Sequence, residues 1–242
     1  VLAEDGKKMS KRLKNYPDPL DIVNKYGADG LRLYLIDSPV VRAEQLKFSE
    51  KGVHNVVKTI LIPLYNSFKF FNEHYTRFIK EDNKLNLKKS IETDNLLDKW
   101  IGKKSNIFVE SIKEELNNYR LYNIVQYFSK FIETLNNGYI KVNRDYIKGK
   151  YCTLDWNNSL ATMYTVLLNI SIIMAPIIPF FSEYLYQNLP KVTKVHQRID
   201  SVHLCDLEMY YPYNHFEETD KVDKLMLIID CVRQLRSIKN IT

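Results

Sequence analysis

Apolar side chains recur at spacings of three and four residues along most of the chain beyond residue 18. That spacing places them on one face of an α-helix, so the pattern predicts a mainly helical protein. The longest stripe runs from about Ser49 to Phe78 and contains Pro63, where we expect the helix to kink. Similar stripes predict further helices at 21–26, 28–36, 93–116, 121–147, 157–175, 180–189 and 220–239.

The ends of several helices are marked by residues that favour caps or breaks. Gly27 separates the first two predicted helices, because glycine accepts the backbone conformation that ends a helix. Thr93 or Asp94 is the expected N-cap of the helix at 93–116. Residues Ser201–Cys205 alternate in a way that favours one short strand. In the last helix we expect four apolar residues to face inward, namely Val222, Leu225, Ile229 and Val232.

Long helices with matched stripes can bury them only against one another, so the expected fold is an antiparallel helix bundle. Residues 1–48 comprise an irregular loop and short connecting helices, residues 49–190 the bundle, and residues 191–242 an irregular segment and a final helix. The apolar stretch 160–189 contains no run of the roughly 18–20 apolar residues that a membrane span needs. We therefore expect a buried helix pair that is broken at its prolines.

Composition narrows the classes of function. The 242 residues include 35 Lys and Arg against 29 Asp and Glu, a net charge of +6 that favours a polyanionic partner such as nucleic acid. The 7 glycines are scattered, so neither a P-loop nor a G-x-G-x-x-G turn is present. The 3 cysteines are widely spaced, so we expect no bound metal and no disulfide framework. Such cysteine usage fits a reducing compartment, which favours a cytoplasmic protein without a membrane partner.

Five cations fall within eight residues of the N-terminal segment. By composition alone this segment is a solvated basic arm. Its order is more informative, because Lys8, Met9, Ser10, Lys11 and Arg12 resemble the mobile Lys-Met-Ser-Lys-Ser/Arg loop of class I aminoacyl-tRNA synthetases. The resemblance implies that these five residues form an ATP-binding loop in which Lys8 and Lys11 are catalytic. Their ammonium groups would stabilise the charge that develops on departing pyrophosphate when the loop closes.

Two further motifs follow at the spacing seen in that superfamily, Asn-Tyr-Pro-Asp-Pro at 15–19 and Tyr-Gly-Ala-Asp-Gly-Leu-Arg at 26–32. Together with Ser-Pro-Val-Val-Arg-Ala-Glu at 38–44, they resemble the isoleucyl-tRNA synthetases of the eukaryotic cytosolic type. Similar landmarks of that family occur at 142–149, 175–180, 201–204 and 232–239. The chain departs from the pattern at Asp145, where the family more often has arginine. It also departs at Gly30, where the family has alanine and glycine should weaken the helix by about 0.8–1 kcal/mol.

The resemblance implies that the chain is the C-terminal part of an isoleucine–tRNA ligase, with the catalytic loop and the anticodon-binding domain. Its partners would be isoleucine tRNA and the Rossmann catalytic and editing domains of the same enzyme, and the full-length enzyme would use ATP with Mg²⁺. No His-x-Gly-His motif occurs in the sequence, so we expect the chain alone to bind no ATP and to be inactive. Alternatives are a valyl- or leucyl-type enzyme, a separate tRNA-binding module, and a helical scaffold in a multi-synthetase assembly.

Cations that lie off the apolar stripes are the expected tRNA contacts, because lysine and arginine supply most of the affinity for a phosphate backbone. Three lie near the end of the third long helix and two lie in the last helix; they are Lys141, Arg144, Lys148, Arg233 and Arg236. The competing interpretation is that cations near a helix C-terminus only complement the helix dipole, a contribution of about 0.3–1 kcal/mol each.

Overall fold

Ten α-helices are present in the computed structural model, which describes residues 1–3, 6–10, 12, 15–87, 93–192, 199–207 and 219–239. Their bounds are α1 Pro19–Tyr26, α2 Ala28–Asp37, α3 Glu50–Val56, α4 Ile62–Lys80, α5 Leu96–Asn117, α6 Leu121–Glu133, α7 Arg144–Ile147, α8 Thr153–Ile173, α9 Pro179–Asn188 and α10 Thr219–Ile238. The described residues include no β-strand. The predicted fold class, a mainly helical bundle, is confirmed.

Helix α8 is the centre of the bundle. Every side chain from Trp156 to Ile173 is buried, because α5 and α9 pack along α8 while α4 and α7 contact its other faces. A helix surrounded in this way needs apolar or neutral residues on all sides, and α8 has no charged residue after Asp155. The short helix α2 packs against α6 and α9, so the N-terminal helices are joined directly to the bundle.

Two of the long predicted helices are distorted by wide turns. A π-helical turn at Val57–Leu61 precedes α4, whose first turn contains Pro63. Proline lacks an N–H and its ring crowds the carbonyl four residues earlier, so the wide turn absorbs the disruption that the sequence predicts there. A second π-helical turn at Thr134–Ile140 follows α6. The predicted single helix at 121–147 is therefore divided into α6, this turn and α7.

Two predicted boundaries are wrong. The N-cap of α5 is Asn95, which accepts a hydrogen bond from the Leu97 N–H at 2.9 Å, and not Thr93 or Asp94. The Thr93 hydroxyl instead accepts from the Asn95 N–H, one step before the helix begins. The strand predicted at Ser201–Cys205 is a 3₁₀ turn at 202–204, because the Ser201 hydroxyl caps it and no neighbouring strand is available to pair with it among the described residues.

Helix α10 is rotated relative to the prediction. Val222 and Met226 are its buried residues, whereas Leu225 and Val232 are 49% and 48% exposed, so their predicted inward positions are wrong. The rotation is set by Asp223, which accepts hydrogen bonds from two residues of α5, Trp100 Nε1 at 2.8 Å and Lys104 Nζ at 2.9 Å. Apolar residues occur on several sides of α10, so the sequence pattern does not determine which side faces α5.

The apolar stretch 160–189 is divided between α8 and α9, as the prolines predict. Helix α8 ends at Ile173, and α9 begins at Pro179 after a tight turn that contains Pro176. Within the described residues, no helix combines the length and the hydrophobicity required to cross a membrane.

Candidate nucleic-acid interface and signature loop

The predicted ATP-binding loop presents cations to solvent. Lys8 and Arg12 are exposed, and Met9 and Ser10 are half-buried. Lys11 lies outside the described residues. A lysine on an exposed loop is a mobile point charge that can approach a phosphate and leave it again.

Two residues of the motif at 26–32 attach α2 to the turn between α8 and α9 and to the first turn of α9. Asp29 accepts a hydrogen bond from the Phe181 N–H at 2.6 Å, in the first turn of α9. Arg32 donates to the carbonyl oxygens of Pro176 and Ile177, at 3.0 and 3.1 Å. Burial raises the pKa of the Asp29 carboxyl above its ordinary value, although the bond to Phe181 opposes this shift. These contacts join two family landmarks that are far apart in the sequence.

The departure at Gly30 has a packing explanation. Gly30 is buried, and a Cβ added to it would lie 2.6 Å from Cγ2 of Val57. Alanine at this position would therefore require α2 and the π-helical turn to separate, or Val57 to move. The helix-weakening effect of glycine thus accompanies a close contact between α2 and the Val57 side chain.

Two predicted tRNA contacts, Arg144 and Lys148, lie beside α4. The Arg144 guanidinium carbon is 5.6 Å from the centre of the Phe70 ring, and Arg77 donates a hydrogen bond to the Lys148 carbonyl oxygen. Burial is the main reason that the pKa of His74 falls below its ordinary value, and the positive charges of Arg77, Lys148 and Arg144 lower it further. Three cations therefore converge here, and we call the surface formed by Arg77, Arg144 and Lys148 the basic end.

Sequence reasoning missed Arg77. Its guanidinium carbon lies 4.5 Å from the centre of the Trp156 ring, and it pairs with Glu81 one turn later at 3.6 Å. A cation in the last turn of α4 is explained by the helix dipole alone, so the sequence offered no reason to single it out. The tertiary fold gives it a second role by bringing α4 against the segment that follows α7.

An exposed aromatic ring adjoins the basic end. Tyr151 is 58% exposed, and its ring centre lies 4.4 Å from that of Tyr146. Asp145, the other departure from the family pattern, pairs with Lys150 at 2.8 Å. The bond from Lys150 lowers the pKa of the Asp145 carboxyl below its ordinary value. This ion pair compensates the charge of Lys150, whereas Arg144 at the start of α7 is exposed.

Lys141 and Arg233 lie on a different surface. Both line a groove of about 740 Å³ between α10 and the helices α5 and α6. The Arg233 guanidinium donates to the Asn137 carbonyl oxygen at 3.2 Å and to the Asp230 carboxylate at 3.1 Å. Arg236 is exposed on α10. The five predicted tRNA contacts are thus divided between the basic end, this groove and the outer face of α10.

A buried carboxylate, which sequence reasoning also missed, lies beneath the start of α7. Asp98 in α5 is 0% exposed, and burial raises its pKa to about 6 although its hydrogen bonds lower it. Four side chains donate to it at 2.5 to 3.3 Å: Tyr139, Asn143, Ser159 and Thr93. Because Asn143 immediately precedes Arg144 in the chain, this network fixes the point at which the basic end leaves the bundle.

The sequence did contain a signal for Asp98. The positions 98, 101, 105, 108 and 112 of α5 are spaced by three and four residues, and all five side chains are buried. Two of these positions are polar, Asp98 and Ser105. A carboxylate on the apolar stripe of a helix must find hydrogen-bond donors in the interior, because an unpaired buried charge is strongly unfavourable.

Comparison with known families agrees with this architecture. Residues 98–242 match the family model described as "Anticodon-binding domain of tRNA ligase". Residues 1–47 match the model described as "tRNA synthetases class I (I, L, M and V)". The first match includes Asp98, the basic end apart from Arg77, and the groove beside α10. The second contains the predicted ATP-binding loop.

Three similar curated proteins are named as isoleucine–tRNA ligases. The chain is 47% identical to "Probable isoleucine--tRNA ligase, cytoplasmic" of Dictyostelium discoideum, over 84% of this chain and 19% of that protein. It is 41% identical to "Isoleucine--tRNA ligase, cytoplasmic" of Arabidopsis thaliana and 40% identical to that of Mus musculus, over 98% and 100% of this chain and 20% of each relative. The chain therefore spans about a fifth of the length of these relatives. Since the anticodon-binding model matches more than half of its residues, the chain belongs to the family of tRNA ligase anticodon-binding domains, here preceded by a segment of the class I synthetase type.

Proposed function

We propose that this chain is part of an isoleucine–tRNA ligase and that its helical bundle binds the anticodon region of isoleucine tRNA. The observation that carries the proposal is the basic end, where three cations converge beside an exposed tyrosine. Two of these cations and the tyrosine lie in the region that matches the anticodon-binding family. An anticodon loop offers unstacked bases on a phosphate backbone. Cations position the phosphates and aromatic rings stack on bases, so the surface has the chemistry that such a loop requires.

Arg144→Ala is expected to weaken tRNA binding about tenfold and to reduce the slope of log K against log[salt] by about 1, as the loss of one phosphate contact predicts. The measurement is a fluorescence anisotropy titration of labelled isoleucine tRNA at several salt concentrations. Arg42→Ala is a matched control, because Arg42 is exposed but its charge is compensated by Glu44 at 3.2 Å. Unchanged affinity and salt slope in Arg144→Ala would refute this assignment.

The groove contacts and the outer face of α10 are secondary candidates. Lys141, Arg233 and Arg236 are proposed to extend the tRNA surface beyond the basic end.

A scaffold role in a multi-synthetase assembly predicts a different result, since a protein bound to this surface would then resist competition by bulk tRNA. Under the proposed function, by contrast, unlabelled isoleucine tRNA displaces the ligand that is bound to this surface.

We assign the segment of Lys8, Met9, Ser10, Lys11 and Arg12 to the ATP-binding loop of the full-length enzyme, with residues 1–48 as the end of its catalytic domain. The remaining division, 49–190 as the anticodon-binding bundle and 191–242 as a C-terminal segment, belongs to the same proposal. The full-length enzyme would use ATP with Mg²⁺ and would contain the Rossmann and editing domains. We infer a cytoplasmic location from the names of the relatives.

The 242-residue chain alone is expected to catalyse no isoleucine-dependent pyrophosphate exchange. Its sequence lacks the His-x-Gly-His motif that holds ATP in class I aminoacyl-tRNA synthetases. Lys8 and Lys11 would therefore have no bound nucleotide on which to close. The measurement is ATP–pyrophosphate exchange with purified chain, isoleucine and labelled pyrophosphate. Exchange above a no-isoleucine control would contradict the division of labour proposed here.

A further inference from the structure

A single side-chain amide makes hydrogen bonds to the backbone of two residues in the first half of the predicted loop. The Asn15 carbonyl oxygen Oδ1 accepts a hydrogen bond from the Ser10 N–H at 2.9 Å, and its Nδ2 donates to the Lys8 carbonyl oxygen at 3.1 Å. These partners fix the orientation of the amide, since a backbone N–H requires an oxygen and a backbone carbonyl requires an N–H. Asn15 therefore recognises both the donor and the acceptor of the loop backbone, as a short strand would.

The other side of Lys8 is held by the N-terminal residues. Lys8 forms an antiparallel bridge with Leu2, and Leu2 forms a parallel bridge with Lys47. The Leu2 N–H donates to the Leu46 carbonyl oxygen at 2.7 Å, which attaches this bridge to the chain that leads into α3. The backbone of Lys8 is thus fastened on one side to the body of the protein and on the other side to Asn15.

The side chains at this point differ in exposure in a way that suits a brace. Asn15 and Ser10 are half-buried, whereas the side chain of Lys8 is exposed. The backbone that carries the lysine is held while its ammonium group is free to reach a ligand. Holding a catalytic group near its working position lowers the entropy that must be lost when the ligand binds.

We propose that Asn15 is a positioning residue for the loop, which sets the backbone of Lys8 and Ser10 so that the ammonium group of Lys8 meets the phosphates of ATP. This inference rests on the proposed function of the loop. It assigns to Asn15 a role in holding the loop, because its two hydrogen bonds to described residues are both made to the loop backbone.

Two substitutions separate the two hydrogen bonds. Asn15→Ala removes both, whereas Asn15→Asp keeps the acceptor for Ser10 and loses the donor for Lys8. In the 242-residue chain, amide exchange of Ser10 measured by NMR is expected to be about fivefold faster in Asn15→Ala and nearly unchanged in Asn15→Asp, from the usual net strength of one hydrogen bond. Asn24→Ala is the matched control, because Asn24 is an exposed residue of α1. Equal exchange rates in all four proteins would overturn the brace.

The consequence for catalysis is measured in the full-length enzyme that contains this segment. Asn15→Ala is expected to lower kcat for isoleucine-dependent pyrophosphate exchange about tenfold and to leave the KM for isoleucine unchanged, since the loop acts only on the phosphates. Faster Ser10 exchange without any change in kcat would overturn the positioning role. Lys8→Ala in the same assay distinguishes this failure from failure of the proposed function, because an active Lys8→Ala enzyme would show that the loop itself is not used.

Discussion

Asp98→Ala is expected to lower the free energy of unfolding of the chain by about 3–5 kcal/mol at pH 5, because the buried donors of Tyr139, Asn143 and Ser159 would lose their shared acceptor. All three residues are buried, so water cannot replace the lost acceptor, and only weaker bonds persist, from Tyr139 to the Ser159 carbonyl oxygen at 3.4 Å and from Asn143 to the Ser159 hydroxyl at 3.1 Å. The measurement is urea denaturation followed by circular dichroism. Asp94→Ala is the matched control, since Asp94 is exposed and lies four residues before Asp98.

Asp98→Asn separates the shape of the network from its charge. The asparagine carbonyl oxygen can still accept from Tyr139 and Asn143, and its amide can donate to the Ser159 hydroxyl, so we expect a loss within about 1 kcal/mol at pH 7. A cost as large as that of Asp98→Ala would contradict the hydrogen-bond explanation and would favour a requirement for the negative charge.

The pH dependence of this effect has a defined sign. The pKa of Asp98 is about 6 in the folded chain, above its ordinary value of 3.8, so the folded chain holds the proton more tightly than the unfolded chain does. The stabilisation from this proton is fully present below about pH 4 and is lost as the pH rises through 6. Between pH 7 and pH 5 it amounts to about 1.4 kcal/mol. The difference in stability between the native chain and Asp98→Asn should therefore grow by that amount on acidification, and a constant difference would contradict the raised pKa.

Lys8→Ala and Lys11→Ala are each expected to lower the rate of isoleucyl-adenylate formation by the full-length enzyme by about 10²–10³-fold, the usual cost of removing one preorganised group that stabilises developing charge. In this reaction the isoleucine carboxylate attacks the α-phosphorus of ATP, a carboxyl–phosphate bond forms, and the bond to the leaving pyrophosphate breaks. Negative charge accumulates on that leaving group. We expect the ammonium groups of the loop to act on this charge more strongly in the transition state than in the ground state.

The test compares single-turnover adenylation with equilibrium binding of isoleucine. The rate should fall in both variants while the Kd for isoleucine stays within twofold of the native value. Lys51→Ala is a suitable control, because it removes an exposed lysine of α3 outside the loop. Equal losses in rate and in isoleucine binding would mean that these lysines contribute uniform binding instead.

Local patterns in the sequence were sufficient for most helices and for the motifs. The stripes predict α4 and α5, the long apolar stretch predicts α8, and Gly27 ends α1 with its N–H bonded to the Val23 carbonyl oxygen at 2.8 Å. These features depend on residues within one or two turns of each other. The assignments of Lys8, Lys11 and the tRNA contacts come from the order of residues, and they stay predictions until the variants above are measured.

The sequence by itself determined which segments are helical, which face of most of them is apolar, and that the N-terminal motif resembles that of class I synthetases. Only the tertiary structure decided the partners: Asp98 with Tyr139 and Asn143, Arg77 with Lys148, Asp223 of α10 with Trp100 and Lys104, and Gly30 against Val57. The physical reason is that hydrophobic burial depends on area and tolerates many partners, so periodicity alone reveals it. Hydrogen bonds and ion pairs act over a few ångströms and in fixed directions, so they exist only where the packing of distant helices places donor and acceptor together.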